Sequence, residues 1–503
     1  MALGRAFSVA VHGVEGRIVE IEADITSGLP GVHLVGLPDA ALQESRDRVR
    51  AAIINCDNRW PMSRLTLALS PATLPKMGSV YDVALAAAVL AADRQVSSDR
   101  LEKAVLLGEL ALDGRIRPVR GVLPAVIAAK QDGWPRVVVP MENLAEAALV
   151  DGIDVRGART LRQVQHWLEG AGQLEISAGA DFDESDDGPD LADVIGQPQA
   201  RYAVEVAAAG GHHLMLTGAP GIGKTMLAHR LPGLLPPLSE EESLEVTAIH
   251  SVAGLLSAAT PLIRRPPLVA PHHTASVAAL IGGGSGMARP GAASRAHRGV
   301  LFLDECAEIG ARALEALRTP LEEGEVRLAR RDGVAVYPAR FQLVLAANPC
   351  PCAPADPRDC ICAGAVKRRY LGKLSGPLLD RIDLRIQMYR VRKGALTADA
   401  GESTAVVRDR VVRARAVAAE RWKPYGVRTN AEVSGALLRQ HFRLDGQTMR
   451  PLRQALDKGL LSIRGVDRTL RVAWTVADLG GHDRPGVDDV CVAMGFRQMG
   501  GDR

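Results

Sequence analysis

The sequence predicts a multidomain α/β protein with a helical C-terminal part, and three observations carry that prediction. Short apolar runs at 213–217, 300–303 and 341–346 each end in chemically loaded residues, as strands do at the carboxyl edge of an open α/β sheet. An acidic stretch without apolar periodicity, 175–190, divides the chain. The 503 residues, 47% of them hydrophobic, suffice for about three domains.

Taken in order, residues 1–174 form the first domain. Strand-like runs at 17–24, 64–69, 104–110 and 136–139 alternate there with helical runs at 39–54 and 81–92, the pattern of an α/β unit. Residues 175–190 carry a net charge of −7 and read as an exposed linker. Residues 191–393 hold the three loaded strands and form the second domain. From 394 to 503 the pattern is helical with basic spacing, notably at 404–422 and 460–479, and predicts an all-α segment.

Composition excludes several classes. A disordered chain or disulfide-stapled mini-protein is ruled out, and 3% aromatics argue against a base-stacking platform. No leader-like segment and no uncharged apolar run of membrane-spanning length occurs, so a soluble, cytoplasmic protein without membrane contact is expected. The overall charge of +3 is uneven, with −1 over 1–174 and +11 over 191–503, which suits an anionic partner or an ordinary solvated surface.

The strongest chemical signal is Gly218-Ala219-Pro220-Gly221-Ile222-Gly223-Lys224-Thr225, a phosphate-binding loop between an apolar run and a helix-like one. Its glycines let backbone N–H groups close on phosphate oxygens; Lys224 reaches the β- and γ-phosphates and Thr225 holds Mg²⁺. The run 300–303 ends in Asp304 and Glu305, suited to metal binding and to polarising an attacking water. The third strand ends at Asn348, placed to orient water or γ-phosphate, or simply to turn the chain before Pro349. Arg381 follows in a turn, and Arg464, Arg468 and Arg471 lie on a late helix; each is also readable as an ordinary paired surface arginine.

Together GAPGIGKTMLA, GVLFLDECAEI, LAANPCPC and LLDRIDL resemble the ComM/YifB branch of the magnesium-chelatase-like AAA+ ATPases, and the resemblance covers almost the whole chain. It implies an ATP- and Mg²⁺-dependent homo-oligomeric ring, expected to be a hexamer. In that ring Arg381 resembles an arginine finger acting on the neighbouring subunit's ATP, and Arg464 a sensor-2 residue. The N-terminal domain is similar to the Lon-protease fold, through GLPGVHLVGLPDAALQESRDRVRAAI and GELALDGRIRPVRGVLPAVIAA. In Lon register, however, the nucleophile position falls on Val80 and the base position on Leu123. With Ser79 off register and unaccompanied by a Lys, a proteolytically inactive domain serving assembly or protein-partner contact is expected.

Residues 325–336 alternate around Asp332-Gly333, a hairpin signal that puts Arg330 and Arg331 at its tip. In the related clade such a hairpin enters the ring pore, where paired arginines would grip DNA phosphates without reading sequence; a solvated tip is the alternative. Residues 271–298 resemble the helix-2 insertion, whose His272 and His273 line a path or make loop hydrogen bonds, with no acidic partner expected near them. The basic helix 408–421 reads as a solvated lid surface. Cys350, Cys352, Cys360 and Cys362 supply four thiolates in one loop, suited to Zn²⁺ or left as free thiols. The resemblance thus implies a DNA-acting ring motor, in helicase or branch-migration steps of recombination or transformation. A magnesium-chelatase-type subunit and a protein-remodelling ATPase are the alternatives.

Overall fold

Residues 2–36, 40–76, 78–177, 188–257, 259–284, 288–330, 333–354, 357–390 and 401–497 are described by the computed structural model. Alternating polar and apolar residues along 15–26 bury every second side chain, as one covered face of a sheet requires. Strands Ala2–His12 and Glu15–Thr26 pair antiparallel along their lengths around Gly13, whose φ of +64° suits the tight turn. A Cβ there would lie 2.3 Å from the Val336 carbonyl, so glycine is also what permits the contact with the hairpin of the second domain. They belong to a seven-stranded mixed sheet ordered Gly31–Val35, Arg64–Ser70, Glu15–Thr26, Ala2–His12, Val105–Leu106, Arg136–Pro140, Asp154–Ala158. Helix Asp82–Ala92, apolar all round, is buried against this sheet. Its one carboxylate, Asp82, is neutralised by Arg48 at 2.9 Å.

Three of these strands, Ala2–His12, Gly31–Val35 and Asp154–Ala158, fall where no strand was expected. The run at 104–110 is not one strand: Leu107 donates to Val138 and Gly108, with φ +149°, to Val80, so the chain leaves the sheet before Glu109–Leu110.

The second sheet has five parallel strands, ordered Leu268–Val269, Val300–Leu303, Gln342–Ala347, Leu214–Thr217, Leu384–Gln387. Three are apolar and wholly buried, as a sheet covered on both faces demands. Because all run the same way, residues 218, 304 and 348 emerge on one edge. This is the AAA+ arrangement, with the phosphate-loop strand inside the sheet.

Helices Thr404–Trp422 and Ile463–Gly480 pack on Pro198–Gly210 and share one apolar core with the sheet. Trp422, Phe442 and Trp474 meet there edge to face, with centroids 4.6 to 5.9 Å apart. The reading of 408–421 as a solvated surface is corrected by this docking. Arg408 donates to the Gly233 carbonyl, Arg415 to that of Ala208, and Arg410 pairs with Glu205 and Glu402. These guanidiniums satisfy helix-end carbonyls and Glu205 of the ATPase core, and Glu402 of their own segment, rather than water alone.

The two α/β units touch through helices Val122–Gln131 and Glu240–Ala253. Glu146, buried and therefore held above the usual carboxylate range, accepts from Leu123 N–H at 2.9 Å and from the Ser251 hydroxyl. No described helix is long and apolar enough to cross a membrane. The linker expected at 175–190 lies mostly outside the described residues.

Candidate functional site

Four segments that are distant in sequence meet at the carboxyl edge of the parallel sheet. Strand Leu214–Thr217 delivers the loop 218–223, which runs into helix Lys224–Leu234 with Gly223 at φ +99°. At Gly218 a Cβ would come within 2.2 Å of Ile222 Cδ1 and 2.8 Å of the Met388 carbonyl. The loop therefore closes only on glycine, leaving its N–H groups at a helix N-terminus for an anion.

Lys224 is nearly buried; its ammonium donates to the carbonyls of Gly218 (2.7 Å) and Ala219 (2.9 Å) and to Asn348 Oδ1 (3.0 Å). Burial holds it below the ordinary lysine range, while Asp304 and Glu305 oppose that shift. Thr225 Oγ1 donates to Asp304 Oδ2 at 2.7 Å, and Asp304 Oδ1 accepts from the Glu305 N–H at 2.8 Å. A hydroxyl and a carboxylate facing each other are hard oxygen donors of the kind Mg²⁺ takes, so the residues present fit that ion.

Glu305 turns its carboxylate outward from a left-handed backbone, φ +46°, and meets His273 Nδ1 at 3.2 Å. The expectation that no acidic group neighbours the histidine pair is thereby corrected. Strand Leu268–Val269 lies beside Val300–Leu303, so the residues that follow each strand converge. Only the fold shows this, since 32 residues of sequence separate the two side chains.

Arg381 donates to the Pro377 carbonyl and pairs with Glu322, and none of its described contacts is with 218–225. Burial, then the charges of Arg318, Arg468 and Arg464, push its pKa down. Arg464 thus acts electrostatically on Arg381, and Arg468 bridges the Arg381 carbonyl (3.0 Å) and Asp383 (2.7 Å). These arginines form a cationic group of their own, beside Glu315 and Glu322.

Strands Glu325–Arg330 and Gly333–Pro338 form the expected hairpin, with Arg330 opposite Gly333. The connection is therefore 331–332 rather than Asp332-Gly333; Arg331 and the Arg330 side chain lie outside the described residues. The four cysteines do gather. Cys350, Cys352 and Cys360 Sγ atoms are 3.4 to 3.6 Å apart, and all four lie within 4.8 Å of one another. A tetrahedral zinc with Zn–S of about 2.3 Å sets sulfurs about 3.8 Å apart, so the donor set fits that ion.

A cavity of about 410 Å³ is lined by His12, Ser79, Val80, Glu109 and Arg120 of the N-terminal domain and closed by Arg289 of the second. The Ser79 hydroxyl donates to the Glu109 carboxylate, and Val80 packs on the apolar cluster that buries Leu123. Lys76, three residues before Ser79, is buried and donates to the Pro71 carbonyl.

Comparisons with known proteins agree with this geometry. Family models described as magnesium chelatase, subunit ChlI, as subunit ChlI of Mg-chelatase and as the ChlI C-terminal part match residues 190–396, 21–143 and 401–497. An uncharacterized protein of Mycobacterium tuberculosis is 75% identical over 503 residues, all of both chains. YifB of Escherichia coli is 41% identical over 96% of this chain and 94% of that protein, and competence protein ComM of Haemophilus influenzae 38% over 99% and 98%. In its N-terminal region the chain is also similar to a Lon protease of Mycolicibacterium smegmatis, 30% identical over 166 residues, which span 30% of this chain and 21% of that one. With the 218–225 loop, the acidic strand end and Asn348 on one sheet edge, the chain belongs to the ComM/YifB family of magnesium-chelatase-like AAA+ ATPases.

Proposed function

We propose that the protein is a ring-forming ATPase motor acting on DNA, in helicase or branch-migration steps. The observation that carries the ATPase half is the convergence of Lys224, Thr225, Asp304, Glu305 and Asn348 on one edge. Lys224 and the loop N–H groups bind the phosphates of ATP, and Asn348 holds Lys224 in place. Thr225 and Asp304 hold Mg²⁺, which when bound neutralises phosphate charge. Glu305 takes the proton of the water that attacks the γ-phosphorus, as the bond to the β-phosphate oxygen breaks.

Arg381, with Arg464 beside it, faces the ATP of the neighbouring subunit in a hexameric ring, which makes turnover depend on assembly. The Arg330–Arg331 hairpin grips DNA phosphates. Its support is the charge of +11 over residues 191–503 and the likeness to a competence protein. The cysteine loop holds structural zinc and stiffens the segment after Asn348. The N-terminal domain contacts a protein partner and cleaves nothing. The magnesium-chelatase-type reading shares the same family models.

Steady-state ATPase rates with single-stranded, duplex and forked DNA at low and moderate salt test the proposal. Stimulation that falls steeply with salt is expected. Hydrolysis indifferent to every DNA moves the assignment to chelatase-type or protein-remodelling work. Zinc near one per chain after gentle purification is the matching expectation for the thiol loop, and a content well below that removes it.

A further inference from the structure

We propose that the N-terminal domain carries a binding site for a terminal phosphomonoester, a phosphoryl dianion held by Arg100, Arg136 and Arg156. The site is separate from the ATPase edge, and the inference stands independently of the functional reading above.

Two neighbouring strands at one side of the seven-stranded sheet build it. Arg136–Pro140 and Asp154–Ala158 run parallel with Arg136 opposite Asp154, and alternation along the strand puts Arg156 on the same face as Asp154. Asp154 therefore stands between two arginines and accepts from Nε of each at 2.6 Å. Arg100, on helix Ser98–Leu101, closes a third side: its Nη1 donates at 2.6 Å to the Trp167 carbonyl, at the end of helix Leu161–Leu168. The Trp167 ring is only 5% exposed and supports two of the three guanidiniums. Their central carbons lie 5.5 Å (Arg136) and 5.8 Å (Arg100) from its centroid.

The three guanidiniums line a cavity of about 490 Å³ that has no carboxylate in its wall. That volume falls in the range of small-molecule sites, about 300–1,000 Å³. Each arginine is aligned through a single nitrogen. Among the described residues, both Nη groups of Arg136 and of Arg156 and the Nη2 of Arg100 have no hydrogen-bond partner. Asp154 is the one carboxylate among the described residues that pairs with any of the three, so the cluster keeps a surplus of two positive charges. Arg136 and Arg156 are two-thirds covered, and their mutual repulsion is relieved when an anion enters. A phosphomonoester matches the surplus, with a charge of about −1.5 to −2 near neutral pH and three acceptor oxygens for three guanidinium forks. A phosphodiester or a lone carboxylate brings one negative charge and leaves the site half compensated.

The test is calorimetric titration of glycerol 3-phosphate into the full chain carrying Lys224→Ala, which removes phosphate binding at the ATP site. Binding of about one equivalent is expected, and dimethyl phosphate, a monoanion, is expected to bind about tenfold more weakly or worse. Arg100→Gln and Arg156→Gln are each expected to weaken glycerol 3-phosphate about tenfold or more. Arg159→Gln, whose guanidinium pairs with Glu175 outside the cavity wall, is expected to change affinity by less than about twofold. The comparison of the two phosphates needs no substitution at the site, so it decides even if a variant unfolds. Displacement of glycerol 3-phosphate by a 5′-phosphorylated oligonucleotide, but not by its 5′-hydroxyl twin, assigns the phosphate to a strand end; displacement by neither assigns it to a small molecule. Absence of binding, unchanged affinity in Arg100→Gln and Arg156→Gln, dimethyl phosphate binding as tightly as glycerol 3-phosphate, or displacement by both oligonucleotides overturns the proposal.

Discussion

Two clefts in this molecule each lie near strand ends of an α/β sheet, and their polar side chains are joined in different ways. At the edge of the parallel sheet Lys224 donates to Asn348 at 3.0 Å, Thr225 to Asp304 at 2.7 Å and the Glu305 backbone N–H to Asp304 at 2.8 Å. In the N-terminal cavity the Ser79 hydroxyl donates to Glu109, and Val80 packs on the apolar cluster that buries Leu123. The difference teaches that the fold supplies a location while side chains supply the reaction.

Replacing Lys224 breaks the comparison most sharply. Lys224→Ala removes the ammonium that lies against the 218–219 carbonyls, and nucleotide affinity is expected to fall about 100-fold or more by equilibrium titration. Glu305→Gln is the next in size: turnover falls by about 100-fold or more while ATP binding persists. Arg381→Ala keeps binding and stops turnover in the assembled ring; an active Arg381→Ala ring removes the finger assignment.

A stability effect of intermediate size comes from the base of the same sheet. Burial holds His213 down at about 4, and its Nδ1 accepts from the Leu343 N–H at 3.0 Å, a bond only the neutral ring makes. The unfolded chain binds this proton near 6.5, so the contribution is full above that value and is lost as pH falls toward 4. The loss amounts to about 3 kcal/mol. Urea midpoints should drop across that window, and His213→Gln should flatten the drop.

The smallest effect sharpens the contrast from the other side. Ser79→Ala is expected to leave ATPase turnover unchanged, with no ATP-dependent casein cleavage before or after. Cleavage lost on substitution would show that the N-terminal cleft is a working peptidase.

The ATPase site was legible because its chemistry is contiguous: GAPGIGKT and LDE carry their spacing in the chain, and parallel strands bring their ends together. The His273–Glu305 contact was not legible, since strand order alone puts those segments side by side. The helix 404–422 was legible as a helix, but its arginines were misread as solvated because the Gly233 and Ala208 carbonyls and the Glu205 carboxylate that they bind lie 175 to 207 residues away in sequence. The strands missed in the first domain have two causes. Ala2–His12 carries too few charges to alternate visibly, and Gly31–Val35 and Asp154–Ala158 are five residues each, too short for a period to register.

Unwinding of a labelled forked DNA, with ATP or a non-hydrolysable analogue, tests the central claim most directly when wild type and Glu305→Gln are compared. The account predicts strand displacement by wild type with ATP only, and none by Glu305→Gln despite retained nucleotide binding. Steady ATP turnover with no displacement, or displacement by Glu305→Gln equal to wild type, would contradict it.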